Sequence, residues 1–137
     1  MYNFEFVKPS SVEEAIAALK EEDAQPLSGG QTLIPTMKQR LNQPSKLVSL
    51  LGMAELNGVS AEGSTLTIGG ATPHAVVAAE ASAYPALAAL ASNIGDPAVR
   101  NRGTIGGSLA NNDPAACYPA AALASGATIG TNSREIA

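Results

Sequence analysis

Two glycine-rich stretches, about seventy residues apart, hold the residue types best suited to chemistry. They are Leu27-Ser28-Gly29-Gly30-Gln31-Thr32-Leu33-Ile34-Pro35 and Gly103-Thr104-Ile105-Gly106-Gly107-Ser108-Leu109-Ala110-Asn111. Each couples adjacent glycines to a hydroxyl residue and runs into a side-chain amide. Paired glycines let the backbone approach a ligand closely and turn several N–H groups towards one point. Such a concavity suits an anion, usually a phosphate, and two of them in one small domain suit a diphosphate.

Little else in the chain offers chemistry of its own. Cys117 is the only cysteine and His74 the only histidine, so the chain has no intrachain disulfide and no thiolate or imidazole cluster for a metal. His74 is a formal general-base candidate, but its place at a helix start among apolar residues favours capping or packing. Cys117 reads as a packed small residue rather than a redox thiol. No serine sits in a nucleophile elbow. Asp96, Arg100 and Arg102 read as loop partners for one another, with Arg100 or Arg102 as alternative phosphate contacts. Gly69-Gly70 follows a strand and precedes a helix cap, which fits the phosphate pattern too, but the pair reads as a turn.

The 137 residues are one domain's worth, 45% hydrophobic and 15% charged, hence globular. The net charge is −4 and basic residues are scattered, which argues against nucleic acid as a partner. Any phosphate is expected to be held mostly by backbone amides. The longest apolar run, Ala86 to Ala91, is too short to span a bilayer. A reduced, cytoplasmic setting is expected.

The elements that must position the glycines follow from periodicity. Phe4, Phe6 and Val7 read as a strand. Ser10 and Ser11 are candidate N-caps, with Glu13 and Glu14 three residues on, for a helix from Val12 to Lys20. Gln25 to Ser28 reads as a second strand, completing a βαβ unit with Gly29-Gly30 just past its carboxyl end, where open α/β sheets bind ligands. A helix is expected over Gln31–Arg40 with Pro35 in its first turn, and a strand over Lys46–Leu50. Leu56–Val59 and Thr65–Ile68 suggest a hairpin. Thr72-Pro73 reads as an N-cap and first helical residue. Helices are expected over Pro73–Ala81, Pro85–Asn93 and Tyr118–Ala124, with a loop from Ile94 to Arg102. A strand at Ala127–Ile129 and a returning strand at Arg134–Ile136 complete the reading. The chain stops at Ala137 inside that strand, and truncation at the C-terminus is the expectation.

The two motifs together resemble those of a known family, the flavin (medium) subunits of molybdenum hydroxylases, which include carbon monoxide dehydrogenases and are related to xanthine dehydrogenases. Ser28 to Lys38 is similar to the first FAD motif and Arg102 to Ala116 to the second. Phe4-x-Phe6-x-x-Pro9 and the Val-Glu-Glu-Ala helix fit the family's start. The resemblance implies an α+β fold of the vanillyl-alcohol-oxidase or PCMH type. Residues 1–55 are then an N-terminal βαβ subdomain, and residues 56–137 an incomplete second, mixed-sheet subdomain. It implies FAD contacts from Ser28, Gly29, Gly30, Gln31 and Thr32 in the first loop and Thr104, Gly106, Gly107 and Ser108 in the second. Ile94 and Gly95 fall near the adenine end. Cys117 stands where relatives often carry an acidic residue, and Ser108 where many carry Asn.

As function, the resemblance implies an electron-transfer subunit of an oxidoreductase. Substrate is oxidised at a molybdenum cofactor on a large subunit. Electrons pass through iron–sulfur clusters on a small subunit to FAD here, and then to an acceptor. The alternative reading is a non-catalytic fragment or binding module that retains no flavin. An uncovered sheet edge in a truncated chain also predicts self-association.

Overall fold

The computed structural model describes residues 1–137. Its first layer is a three-stranded parallel sheet of β1 (Glu5–Val7), β2 (Ala24–Leu27) and β3 (Lys46–Ser49), in the order β1-β3-β2. The register pairs Phe6 with Leu47 and Gln25 with Leu47. Strands β1 and β2 and helix α1 form the expected βαβ unit. β3 lies between the two strands, and two features of the sequence explain why. Leu47, Val48 and Ser49 are all buried, as a central strand requires. Pro26 in β2 has no N–H for a second ladder and belongs on an edge.

Helix α1 (Val12–Ala18) follows β1 and is capped as the sequence suggested. The Glu14 N–H donates to Ser11 Oγ, while the N–H and hydroxyl of Ser10 donate to the Glu14 carboxylate. Those bonds hold the Glu14 carboxyl below the usual range. Ala15, Val48 and Met53 form a small core that Val7, Val12, Leu19, Leu50 and Leu56 surround. Lys46 bridges the sheet to Glu5 at 3.3 Å and pairs also with Glu21. Helix α2 (Leu33–Lys38) follows β2 and places Pro35 in its first turn.

The remaining strands form antiparallel pairs, β4 (Val59–Glu62) with β5 (Thr65–Ile68) and β6 (Ile129–Gly130) with β7 (Glu135–Ile136). The first hairpin begins later than expected, because Leu56 ends a 3₁₀ turn over Ala54–Leu56 and packs into the first core. Helices α3 (His74–Glu80) and α4 (Pro85–Ser92) pack together, and α7 (Cys117–Ser125) joins them through Tyr118. Val77, Ala81, Ala91 and Tyr118 are the centre of this second core.

Two short helices were not anticipated. Within the expected 94–102 loop lies α5 (Pro97–Arg100), capped by Asp96, whose Oδ1 accepts from the Val99 N–H at 2.9 Å. The second glycine stretch is itself helical, forming α6 (Ile105–Asn111). Thr72 is also not the cap of α3. It is fully buried, and its Oγ1 bonds the Gly58 N–H at 2.9 Å and the Gly58 carbonyl at 3.1 Å, leaving Pro73 as the cap residue. No helix is long and apolar enough to cross a membrane.

Candidate flavin-binding site

The two glycine stretches meet. Ser28, just past β2, lies 2.8 Å from Thr104 through their hydroxyl oxygens. At Gly29 a Cβ would fall 2.6 Å from Gly103 Cα and would also meet the Arg102 carbonyl oxygen. Backbone packs on backbone there, and only glycine allows it. Gly30 then turns the chain at φ +68° into α2, and the Gln31 side chain closes the turn by donating to the Gly29 carbonyl at 3.3 Å.

The backbone N–H groups of Gly29, Gly30, Gln31 and Thr32 donate to no protein acceptor. Gly29 and Gly30 are half-buried, where polar groups rarely go unpaired, whereas Gln31 and Thr32 are exposed. Four free donors in succession, held in a tight turn beside a groove, form the kind of concavity that receives an anion. Thr32 leaves its own helix start uncapped by any side chain.

The second stretch behaves differently. Its amides are engaged within the protein. The Ile105 N–H donates to the Thr72 carbonyl at 3.2 Å and the Gly106 N–H to the Gly70 carbonyl at 2.8 Å. The Gly107 N–H donates to Thr104 Oγ1 at 3.2 Å and the Ser108 N–H to the Thr104 carbonyl at 3.0 Å. Thr104 therefore caps α6 and ties it to Ser28 with one hydroxyl. Gly106 lies so close to Gly70 that a Cβ would sit 2.8 Å from Gly70 Cα. This second motif is a wall and a fastening, whereas the first supplies free donors.

A groove of about 990 Å³ runs along the seam. Of the residues expected at the flavin, Ser28, Gly29, Gly30, Gln31, Thr32, Thr104, Gly106, Gly107 and Ser108 all line it. Ile94 and Gly95 do not. Ile94 packs against the second core, and both carbonyls accept from the Arg100 guanidinium, at 3.2 and 2.8 Å. Arg100 is thus a pin for its own loop, and the ion pairing expected among Asp96, Arg100 and Arg102 does not form. The groove also takes in Gly103, Asn111 and Asp113 of the second motif, and Gly70, Ala71 and His74, which sequence reasoning did not assign to it. For Gly70 a signal existed, since it follows strand β5 and precedes a helix.

His74 is buried at the first turn of α3, and its ring lies 5.3 Å from that of Tyr118. His74 Nδ1 and the Tyr118 hydroxyl have no protein partner. Burial pushes the imidazole pKa down and so keeps it neutral. Burial, and secondarily the neighbouring Cys117, pushes the Tyr118 phenol up, so it stays protonated. The groove lining carries no Lys or Arg and one carboxylate, Asp113. Cys117, expected to be packed, is exposed, because the buried position of the first α7 turn goes to Tyr118.

Comparison with known proteins agrees with this architecture. Residues 2–136 match the family described as the FAD binding domain in molybdopterin dehydrogenase. The carbon monoxide dehydrogenase medium chain of Hydrogenophaga pseudoflava is 42% identical over 126 residues, covering 88% of this chain and 44% of that one. The nicotine 6-hydroxylase medium subunit of Paenarthrobacter nicotinovorans is 37% identical over 123 residues, covering 87% and 44%. A solved structure of the Hydrogenophaga pseudoflava carbon monoxide dehydrogenase superposes with a TM-score of 0.86 at 42% identity, over 90% of this chain and 45% of that chain. The chain therefore spans under half the length of these relatives. The α+β fold is that of their FAD-binding domain, and this chain belongs to the family of FAD-binding domains of molybdopterin dehydrogenases.

Proposed function

We propose that this chain binds FAD as part of the medium subunit of a molybdenum hydroxylase. The observation that carries the reading is the run of four unbonded N–H groups from Gly29 to Thr32, closed from the other side by the second motif. Bound FAD supplies reversible electron transfer. The protein's part is to hold and insulate it. The Gly29–Thr32 amides receive the diphosphate. The Ser28–Thr104 hydroxyl bond keeps the two motifs in register. The neutral His74 leaves the groove wall uncharged on that side.

In the assembly, a large subunit carries the molybdenum cofactor and oxidises the substrate, and a small subunit carries iron–sulfur clusters. Electrons reach the flavin from those clusters and leave to an acceptor. The reading extends to this chain what its relatives' names describe, medium chains and medium subunits of dehydrogenases and hydroxylases. Those relatives are named for different substrates, carbon monoxide and nicotine. Residues 1–55 and 56–137 would form its two subdomains, the groove lying along their seam, in a cytoplasmic enzyme.

The test is flavin retention. The chain, expressed with its neighbouring subunits and purified, is expected to show flavin absorbance near one FAD per chain and to bleach when substrate reduces the assembly. A colourless assembly that remains active would sink the proposal. A colourless, inactive chain that folds would favour the fragment reading.

A further inference from the structure

The second core holds two polar atoms that the glycine loops do not use. His74 is 5% exposed and Tyr118 1% exposed. His74 Nδ1 and the Tyr118 hydroxyl are both buried, and neither has a hydrogen-bond partner in the protein. Buried polar groups are almost always paired, with protein or with ordered water. A single orphan is a matter of local packing. Two of them on neighbouring rings, with centroids 5.3 Å apart, point to a shared partner.

The fold brings the two rings together from distant parts of the chain. His74 opens α3, and its backbone N–H donates to the Gly103 carbonyl at 2.9 Å, beside the Pro73–Thr104 bridge. Tyr118 lies in the first turn of α7 and packs with Val77, Ala81 and Ala91. The ring planes are tilted by 44°, so the rings diverge instead of stacking face to face. The setting is one of small residues, with two alanines in the core cluster and Gly103 against the imidazole. An internal water needs room and about two to four polar partners. This site supplies two.

The chemistry also assigns the protons. A neutral imidazole has one N–H donor and one acceptor nitrogen. Burial lowers the imidazole pKa and raises that of the phenol, so both rings stay uncharged. The phenol then has a proton to donate, and the imidazole has a basic nitrogen to receive one. A water between them accepts from the phenol and donates to Nδ1. Nδ1 is thereby the acceptor, and the imidazole proton sits on Nε2, which lies against Gly103 at the groove wall.

We propose that His74 Nδ1 and the Tyr118 hydroxyl bind one internal water between them, which fixes His74 as the Nε2–H tautomer. Tyr118 is thus a positioning residue. Through the water it holds a neutral N–H donor in a groove lining that has no Lys or Arg. The site is independent of what the groove holds and does not rest on the flavin reading.

Because His74 is the only histidine, selective nitrogen labelling gives a single imidazole to read by NMR. The expected spectrum has the proton on Nε2, a hydrogen-bonded Nδ1 without one, and a cross-peak from a long-lived water to the Tyr118 ring protons. Tyr118→Phe should shift the Nδ1 resonance, abolish the water cross-peak and lower Tm by about 3–4 °C, because Nδ1 loses its link. His74→Asn keeps a polar atom near the Nδ1 position and should retain the cross-peak. His74→Gln places its amide nearer the Nε2 position and should lose it. If the two groups are unlinked, Tyr118→Phe only removes an unpaired buried hydroxyl. Tm then holds or rises and the imidazole resonances stay in place, which overturns the proposal. A proton on Nδ1 of the wild-type chain, or no long-lived water beside Tyr118, overturns it as well, whatever the variants do.

Discussion

Replacing Gly29 by alanine tests the central geometric claim, that two distant motifs are packed backbone to backbone. The new Cβ would lie 2.6 Å from Gly103 Cα and 2.8 Å from the Arg102 carbonyl carbon, besides meeting the carbonyl oxygen. Ordinary carbon–carbon contact begins near 3.5 Å. The seam must therefore open by the better part of an ångström, and no flexible side chain is present to yield. Overpacking of this kind costs about 1–3 kcal/mol. Widening the seam also strains the 2.8 Å Ser28–Thr104 hydroxyl bond, worth about 1 kcal/mol. The expected destabilisation is about 2–4 kcal/mol. With about 2.1 cal/mol/K of unfolding entropy per residue, a chain of 137 residues loses roughly 3–4 °C of Tm per kcal/mol. Thermal denaturation by circular dichroism should show Tm lower by about 7–15 °C. Gly130→Ala is the control, because a Cβ there meets nothing within 4 Å, and its Tm should stay within about 2 °C of wild type. A Gly29→Ala protein that melts with the control would refute the packed seam.

Thr104→Val keeps the shape but removes the cap of α6 and the bond to Ser28, and should lower stability by about 1–2 kcal/mol in urea. A double-mutant cycle with Ser28→Ala should return a coupling of about 1 kcal/mol, and additive losses would show that the hydroxyls do not interact. Because burial lowers the His74 pKa from its ordinary 6.5, the unfolded chain binds a proton that the folded chain refuses. This contribution is therefore absent above about pH 7 and destabilises increasingly as pH falls through 6.5 towards the folded value. His74→Gln should abolish that slope, and an unchanged slope would clear His74 as its source. Exposed Cys117 should take up iodoacetamide in the native chain, read as a mass shift; labelling that required urea would place the thiol inside.

What could be read ahead of the structure follows the reach of each signal. Short-range signals served well. The Ser10-Ser11 cap with its glutamates, the hairpin strand at Thr65–Ile68 and the helices after Pro73 and Pro85 rest on neighbours within a turn or two. Strand order is a long-range property, and periodicity says nothing about which strand lies in the middle, although Pro26 in β2 was a usable clue. Helix α6 was hidden because two adjacent glycines weigh against helix by about 1 kcal/mol each. Its cap on Thr104 and its tight packing on Gly70 overrode that propensity. The glycine motifs announced a ligand groove but not how labour is divided in it, since which amides are free depends on partners as remote as Thr72 and Gly70. The exposure of Cys117 depends on the rotation of α7 about its axis, which its alanine-rich, weakly patterned sequence does not fix.

The bond between Ser28 and Thr104 spans 76 residues of chain. No local collapse can create the groove, because its two walls come from opposite halves of the chain and must find each other after each has formed. Closing so long a loop carries an entropic barrier, and pairings of this separation form late in folding. Newly made chains should therefore pass through a state with both small cores assembled and the seam still open. Anything that binds only the closed seam draws that population forward by mass action. Under the proposed function, the supply of flavin during synthesis would then govern how much of the protein survives proteolysis in the open state, and the cofactor would act as a late partner in folding.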